Sequence, residues 1–149
     1  MREPYASDHQ MALLEKILVV KKSKIPRSGQ GLFTTEKIYK GACIVEYKGR
    51  LEKWSEVKDQ DGYNGYLLKL NERWAINALP YKRALGRFAN DAKGIHRKDN
   101  LTNNAEYLIE GKRCFIFAKR GINPGEEILV SYGREYWNLI KRISKELGK

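Results

Sequence analysis

Apolar residues fall along the chain in short runs separated by glycine, proline and lysine, a spacing that predicts strands rather than long helices. Ile17, Leu18, Val19 and Val20 form the first run, closed by Lys21, Lys22 and Lys24 and ended by Pro26. Similar runs, rich in β-branched and aromatic residues, occupy 31–35, 42–47, 66–70, 73–77, 105–110, 113–118 and 127–132. A helical period shows in two places. Leu51, Trp54 and Val57 predict a short helix over 51–58, with Asp61-Gly62 as a turn after it. Tyr136, Leu139, Ile140, Ile143 and Leu147 lie on one face of a helix over 135–147, whose other face is arginine and lysine. Ser7 with Gln10 makes a capping box for a short helix, or an arm, before residue 15. The polar stretch 93–103, which contains Gly94 and His96, reads as an exposed loop. The pattern is that of a mostly β domain with minor α content.

Composition narrows the class. The 149 residues are 42% hydrophobic, enough for one core, so a disordered chain is excluded. The formal charge is +11, and residues 76–149 carry 15 basic groups against 8 acidic ones. No run of five like charges occurs, so the charge belongs to a folded surface, and an acidic partner is expected. Cys43 and Cys114 are far apart and not in a CxxC pair, which excludes a disulfide framework and a cysteine-rich zinc site. Residues 1–10 lack the apolar region of a signal peptide, and no apolar run approaches the roughly 20 residues that span a bilayer. An intracellular soluble protein is expected.

Taken singly, the chemical motifs are weak. Ser28-Gly29-Gln30-Gly31 lets the backbone approach a ligand, yet Gly-x-Gly is commonly a plain turn, and no helix follows to complete a dinucleotide or phosphate loop. Asn90 and Asp91 follow Phe88-Ala89, where a ligand could satisfy them or an Asx turn could. Serine or cysteine triads would need His9 or His96, and neither has a nucleophile signature nearby. Glu126 and Glu127 follow the Pro124-Gly125 turn, so they face solvent or tie down a loop. No dedicated metal cage is visible.

In order, however, the segments resemble the SET-domain protein lysine methyltransferases, from about Ile17 to Trp137. Gly29-Gln30-Gly31-Leu32-Phe33 resembles the opening Gly-x-Gly loop of that family, and Glu46-Tyr47 the strand that follows. Ile76-Asn77-Ala78 is similar to its Ile-Asp-Ala strand, Arg87-Phe88-Ala89-Asn90 to its Arg-Phe-x-Asn-His motif, and Asn104-Ala105 to its Asn-Cys/Ala step. Gly125-Glu126-Glu127, Ser131-Tyr132-Gly133 and Tyr136-Trp137 resemble its closing signature.

The resemblance implies a β-clip-like fold of small curled sheets around a knot-like threaded core. It divides the chain into an arm at 1–15, a SET domain at 16–137 and a C-terminal helix at 138–149. It also implies S-adenosylmethionine as cofactor, held by Gly29, Gln30, Gly31, Leu32, Arg87, Phe88, Asn90, Asp91, Tyr132 and Trp137. A substrate lysine would enter from the opposite face through a channel of Tyr47, Tyr107 and Tyr132, the implied catalytic residues. Val130 stands two residues before Tyr132, and Tyr107 could replace an aromatic missing there and favour lower methylation.

The chain departs from the family at Asp91, where histidine is usual, at Asn77, where aspartate is usual, and in its longer 93–103 loop. No cysteine-rich modules flank the domain, so the C-terminal helix is expected to close the channel, or to form a dimer face. The implied substrate is a lysine-bearing protein, a histone or another DNA-packing protein, because a basic enzyme suits targets carried on DNA. The location would be nuclear or chromatin-bound in a host with histones, and otherwise cytoplasmic. The competing reading is a catalytically weak module of the same fold that holds chromatin or nucleic acid through its basic surface; Asp91 and Asn77 keep it open, whereas the intact Tyr132, Asn90 and Gly29-Gln30-Gly31 favour the enzyme.

Overall fold

The computed structural model describes residues 14–94 and 96–148. The Ser7–Gln10 capping box lies outside them. The elements run β1 (Leu18–Lys22), β2 (Gln30–Thr34), β3 (Cys43–Glu46), β4 (Arg50–Lys53), α1 (Trp54–Val57), a 3-10 turn (Lys58–Gln60), β5 (Leu67–Lys69), β6 (Trp74–Asn77), a second 3-10 turn (Leu85–Phe88), β7 (Ala105–Glu110), β8 (Arg113–Ala118), β9 (Glu127–Ile128) and α2 (Arg134–Glu146). They form three antiparallel three-stranded sheets, ordered β1-β2-β9, β3-β8-β7 and β4-β6-β5.

The mostly β expectation and most of the strands are observed, with differences that have physical causes. β1 runs on into Lys21 and Lys22 because it is an edge strand, whose lysines stay in solvent while Leu18 is buried. The helix expected at 51–58 is half strand: Leu51 pairs with Ile76 and Lys53 with Trp74, leaving a single helical turn after them. Helical spacing lost there to a ladder that satisfies the backbone across the sheet. The 93–103 loop is exposed in its middle, but Ala92, Gly94 and Asn103 anchor its ends in the interior.

The expected strand 127–132 is shorter as a ladder because its chain is passed between two others. Glu127 and Ile128 pair with β2, and then Leu129 and Val130 make single parallel bridges to Asn90 and Ala105. The Val130 N–H donates to the Asn90 carbonyl at 2.8 Å, and the Leu129 carbonyl accepts from the N–H groups of Asn104 and Ala105 at 2.9 and 3.0 Å. Asn104, 1% exposed, behaves like an extra peptide unit: its amide donates to the Glu127 carbonyl and its side-chain oxygen accepts from the Leu129 N–H, both at 2.9 Å. This threaded centre is packed by Leu32, Ile44, Ile116, Ile122, Ile128 and Val130. It fixes the segments before and after it, 87–91 and 131–137, where the candidate site lies.

Candidate active site

Tyr47, Tyr107 and Tyr132 converge on a cavity of about 300 Å³, which Leu67, Arg87, Tyr136 and Leu139 also line. Tyr47 meets Tyr107 edge to face at 5.9 Å between centroids, and Tyr107 stacks near-parallel on Tyr132 at 6.4 Å. The Tyr47 hydroxyl donates to the Tyr66 carbonyl at 2.8 Å and that of Tyr132 to the Ala89 carbonyl at 2.6 Å. Burial, reinforced by neighbouring tyrosines and Cys114, pushes the Tyr47 and Tyr107 phenols well above their ordinary range; burial and nearby tyrosines do the same to Tyr132. All three stay neutral at any physiological pH, so they act as walls and hydrogen-bonding groups rather than as bases.

Arg87 braces this cavity. Its guanidinium donates to the carbonyls of Ala78 and Leu79 at 2.8 and 3.0 Å and lies 3.8 Å over the Tyr66 ring. Phe88 packs against the main core beside it. The mouth carries Asp61 and Glu135, neither of which pairs with a cation among the described residues. Lys69, in the same lining, is already paired with Glu72 at 3.2 Å.

The second cluster lies on the other side of Tyr132. Its ring stacks on Trp137 at 5.8 Å, and Tyr136 stands edge-on to both. The Asp91 carboxylate fixes this arrangement. It is 4% exposed and accepts four hydrogen bonds: from the Lys93 N–H and the Asn103 amide at one oxygen, and from the Tyr132 N–H and the Trp137 indole N–H at the other. The departure from histidine therefore gives an internal anchor for α2, with every acceptor position engaged. The Lys93 bond is also the Asx turn expected from sequence. Asn77 is equally occupied, donating to Glu52 and accepting from Asn64 and the Leu79 N–H.

The Gly29–Leu32 stretch meets this cluster through Asn90, whose amide donates to the Gln30 carbonyl at 3.0 Å. Gly29 holds φ +63°, and a Cβ built there would meet nothing within 4 Å, so the loop borders open space. Gly31 is close-packed instead, since a Cβ would overlap the Glu127 carboxylate. Leu32 has its side chain in the core and can serve a ligand only through its backbone. Glu127, 3% exposed, ties the loop down as expected of one of the paired carboxylates, accepting from the Ser23 hydroxyl at 2.7 Å and the Lys24 N–H at 2.8 Å. Gly94 lies against Trp137, where a Cβ would come within 2.5 Å of the indole.

These features suit the cofactor implied by sequence: an open glycine loop, an indole face and an asparagine amide lie on one side of Tyr132, with the aromatic cavity on the other. The family model described as SET domain matches residues 29–133. The chain belongs to the SET-domain family. This SET domain is 31% identical over 126 residues to the N-lysine methyltransferase KMT5A of Xenopus tropicalis, covering 76% of this chain and 36% of that protein. It is 28% identical over 129 residues to the histone-lysine N-methyltransferase set-1 of Caenorhabditis elegans, covering 80% and 51%. The histone-lysine N-methyltransferase EZH2 of Chaetomium thermophilum is 29% identical over 140 residues, 86% of this chain and 9% of that protein. The chain thus spans about a third of the length of the KMT5A relative.

Sequence reasoning passed over Tyr66, Asp61, Glu135 and Ser23 as site residues. Tyr66 and Asp61 lie in the segment before β5, whose approach to α2 is set by packing of Gly62 against Leu139 and Ile143. No local pattern signals that contact. Tyr136 had a signal, its place beside Trp137 in the closing signature. No helix among the described residues is long and apolar enough to cross a membrane.

Proposed function

We propose that this SET domain is an S-adenosylmethionine-dependent protein-lysine N-methyltransferase acting on a histone or another DNA-associated protein, and so working at chromatin. The observation that carries the reading is Tyr132, which is shared by the two clusters: one face of its ring meets Tyr107 in the cavity, and the ring also stacks on Trp137. The names of the relatives, which include N-lysine and histone-lysine methyltransferases, support the same activity.

When bound, the cofactor supplies a methyl group on a cationic sulfonium, which the lone pair of a neutral lysine amine displaces in line, the C–S electron pair passing to sulfur. Everything else falls to the chain. A free lysine has a pKa near 10.4, so the ammonium must lose its proton to solvent before transfer. Tyr47, Tyr107 and Tyr132 disfavour the ammonium by stripping water from it. The Tyr132 hydroxyl, fixed at the Ala89 carbonyl, orients the amine, and that carbonyl offers an acceptor for weak C–H···O contacts. Alignment is then the main catalytic contribution, and no side-chain base is needed. Asp61 and Glu135 at the mouth suit a cationic polypeptide segment.

The deciding experiment is incubation with labelled S-adenosylmethionine and core histones, nucleosomes or whole-cell lysate, alongside Tyr132→Phe. Label in a defined protein band, lost in the variant, is the expected result. Absence of label together with absence of cofactor binding by calorimetry would overturn the reading.

A further inference from the structure

We propose that the groove between Lys48 and the 80–84 segment is a docking site for single-stranded nucleic acid. Its volume is about 510 Å³, and Lys48, Pro80, Tyr81, Lys82, Arg83 and Ala84 line it. It shares no residue with the tyrosine cavity or with the residues assigned to the cofactor. Lys48, Lys82 and Arg83 are exposed, none of them forms an ion pair among the described residues, and no carboxylate is in the lining. Three like charges around one groove repel one another, and an anion that enters relieves that repulsion.

Tight backbone packing brings the three cations together. A Cβ on Gly49 would lie 2.6 Å from the Asn77 carbonyl oxygen, and one on Gly86 would lie 2.7 Å from that of Glu46. Both ends of the 78–85 segment are thus pressed against the chain on either side of Lys48. Between them, the Tyr81 N–H donates to the Ala78 carbonyl and the Ala84 N–H to the Tyr81 carbonyl, both at 3.0 Å, while Arg87 holds the carbonyls of Ala78 and Leu79. Tyr81 decides which polyanion fits. It is 45% exposed, and among the described residues no cation lies over its ring and no other ring packs on it. Trp54, Tyr66 and Trp74, by contrast, each lie under a cation of the chain. A free aromatic face beside three cations matches a single strand, which offers unstacked bases together with phosphates. A duplex keeps its base faces stacked and an acidic polypeptide has none, so either would leave the ring unused.

The test uses the full chain and no methyl transfer. Anisotropy of a labelled oligothymidylate of about 12 nucleotides, titrated between about 50 and 200 mM salt, should show binding whose log K falls against log salt with a slope of about −2, from three phosphate contacts at roughly 0.7 each. Tyr81→Ala should weaken that binding on the order of tenfold or more while leaving binding of a duplex of the same length within about twofold. Lys82→Gln/Arg83→Gln should make the slope shallower by about 1.4, whereas Lys40→Gln/Lys119→Gln, outside the groove, should have little effect. All of these positions are exposed, and equal urea midpoints report that the fold holds. No binding of the single strand at the lowest salt, a loss in Tyr81→Ala that is absent or equal on duplex, equal losses from the two cation pairs, or tighter binding of poly-glutamate than of oligothymidylate would each overturn the proposal. Loss of methyl labelling with oligothymidylate binding intact would instead strike the methyltransferase reading alone.

Discussion

The cavities on either side of the Tyr132–Trp137 stack differ in how their polar groups are matched. On the channel side the chain completes most of its own bonds: the hydroxyls of Tyr47 and Tyr132 have carbonyl partners, Arg87 reaches two more although its Nε has none, and Lys69 has Glu72, while Asp61 and Glu135 stand without a cation among the described residues. Across the stack, the five cations Arg27, Lys93, Arg97, Lys141 and Lys145 share a pocket with no carboxylate in its lining. A finished cavity can select by shape and dryness, whereas an unfinished one recruits charge from outside. The same carboxylate, Asp91, holds the wall between them.

Breaking that wall should have the largest effect. Asp91→Ala leaves two backbone N–H groups, an amide and an indole without their acceptor, and should lower stability by about 3–5 kcal/mol in urea unfolding. Asp91→Asn, which keeps one oxygen, should fall between the wild type and the alanine variant. If Asp91→Ala unfolds at the wild-type midpoint, the carboxylate is not what joins α2 to the core.

Tyr132→Phe separates chemistry from binding. Turnover should drop on the order of 100-fold with cofactor affinity held within about threefold, read by single-turnover labelling and calorimetry. Gly94→Ala should do the reverse, because its new methyl displaces the Trp137 ring. Cofactor affinity should weaken about tenfold while turnover at saturation changes little. Equal losses in both quantities for both variants would show that the two sides do not act separately.

The smallest effect is alkaline. Burial raises the Cys43 and Cys114 thiols from 9.0 to about 11 and about 12, and raises the phenols of Tyr47, Tyr107 and Tyr132 above 10.0. Above about pH 9 the folded protein therefore holds more protons than the unfolded chain, so stability is flat below that pH and falls as pH rises. Urea midpoints measured from pH 7 to alkaline conditions should decline only in that upper range. Tyrosinate absorbance appearing in the native state at the ordinary tyrosine pKa for these three rings would contradict the dry channel.

Local pattern carried much of this. The 3.6-residue period of Tyr136, Leu139, Ile140 and Ile143 marked α2 to within a residue at each end, and short runs rich in β-branched and aromatic residues marked the β7–β8 hairpin at the same bounds, 105–110 and 113–118. Each depends on neighbours in sequence, which is where propensity acts. Leu51 was misread because its true partner, Ile76, lies on another strand. Asp91 was read for the cofactor or for a local Asx turn and not as the anchor of α2, since its bonds to Asn103, Tyr132 and Trp137 span 12, 41 and 46 residues. The ordered motifs carried the resemblance to the family, and with it the tyrosines and the glycine loop.

The sequence by itself determined a mostly β, basic domain, because composition and short-range periodicity are properties of the chain, and the order of its motifs carried the resemblance to the SET family. Only the tertiary structure decided that Glu127 and Asp91 are buried, fully bonded anchors and that five cations meet in one pocket. Those outcomes depend on where residues 128–130 pass between Asn90 and Ala105, and contacts made across such distances leave no local trace.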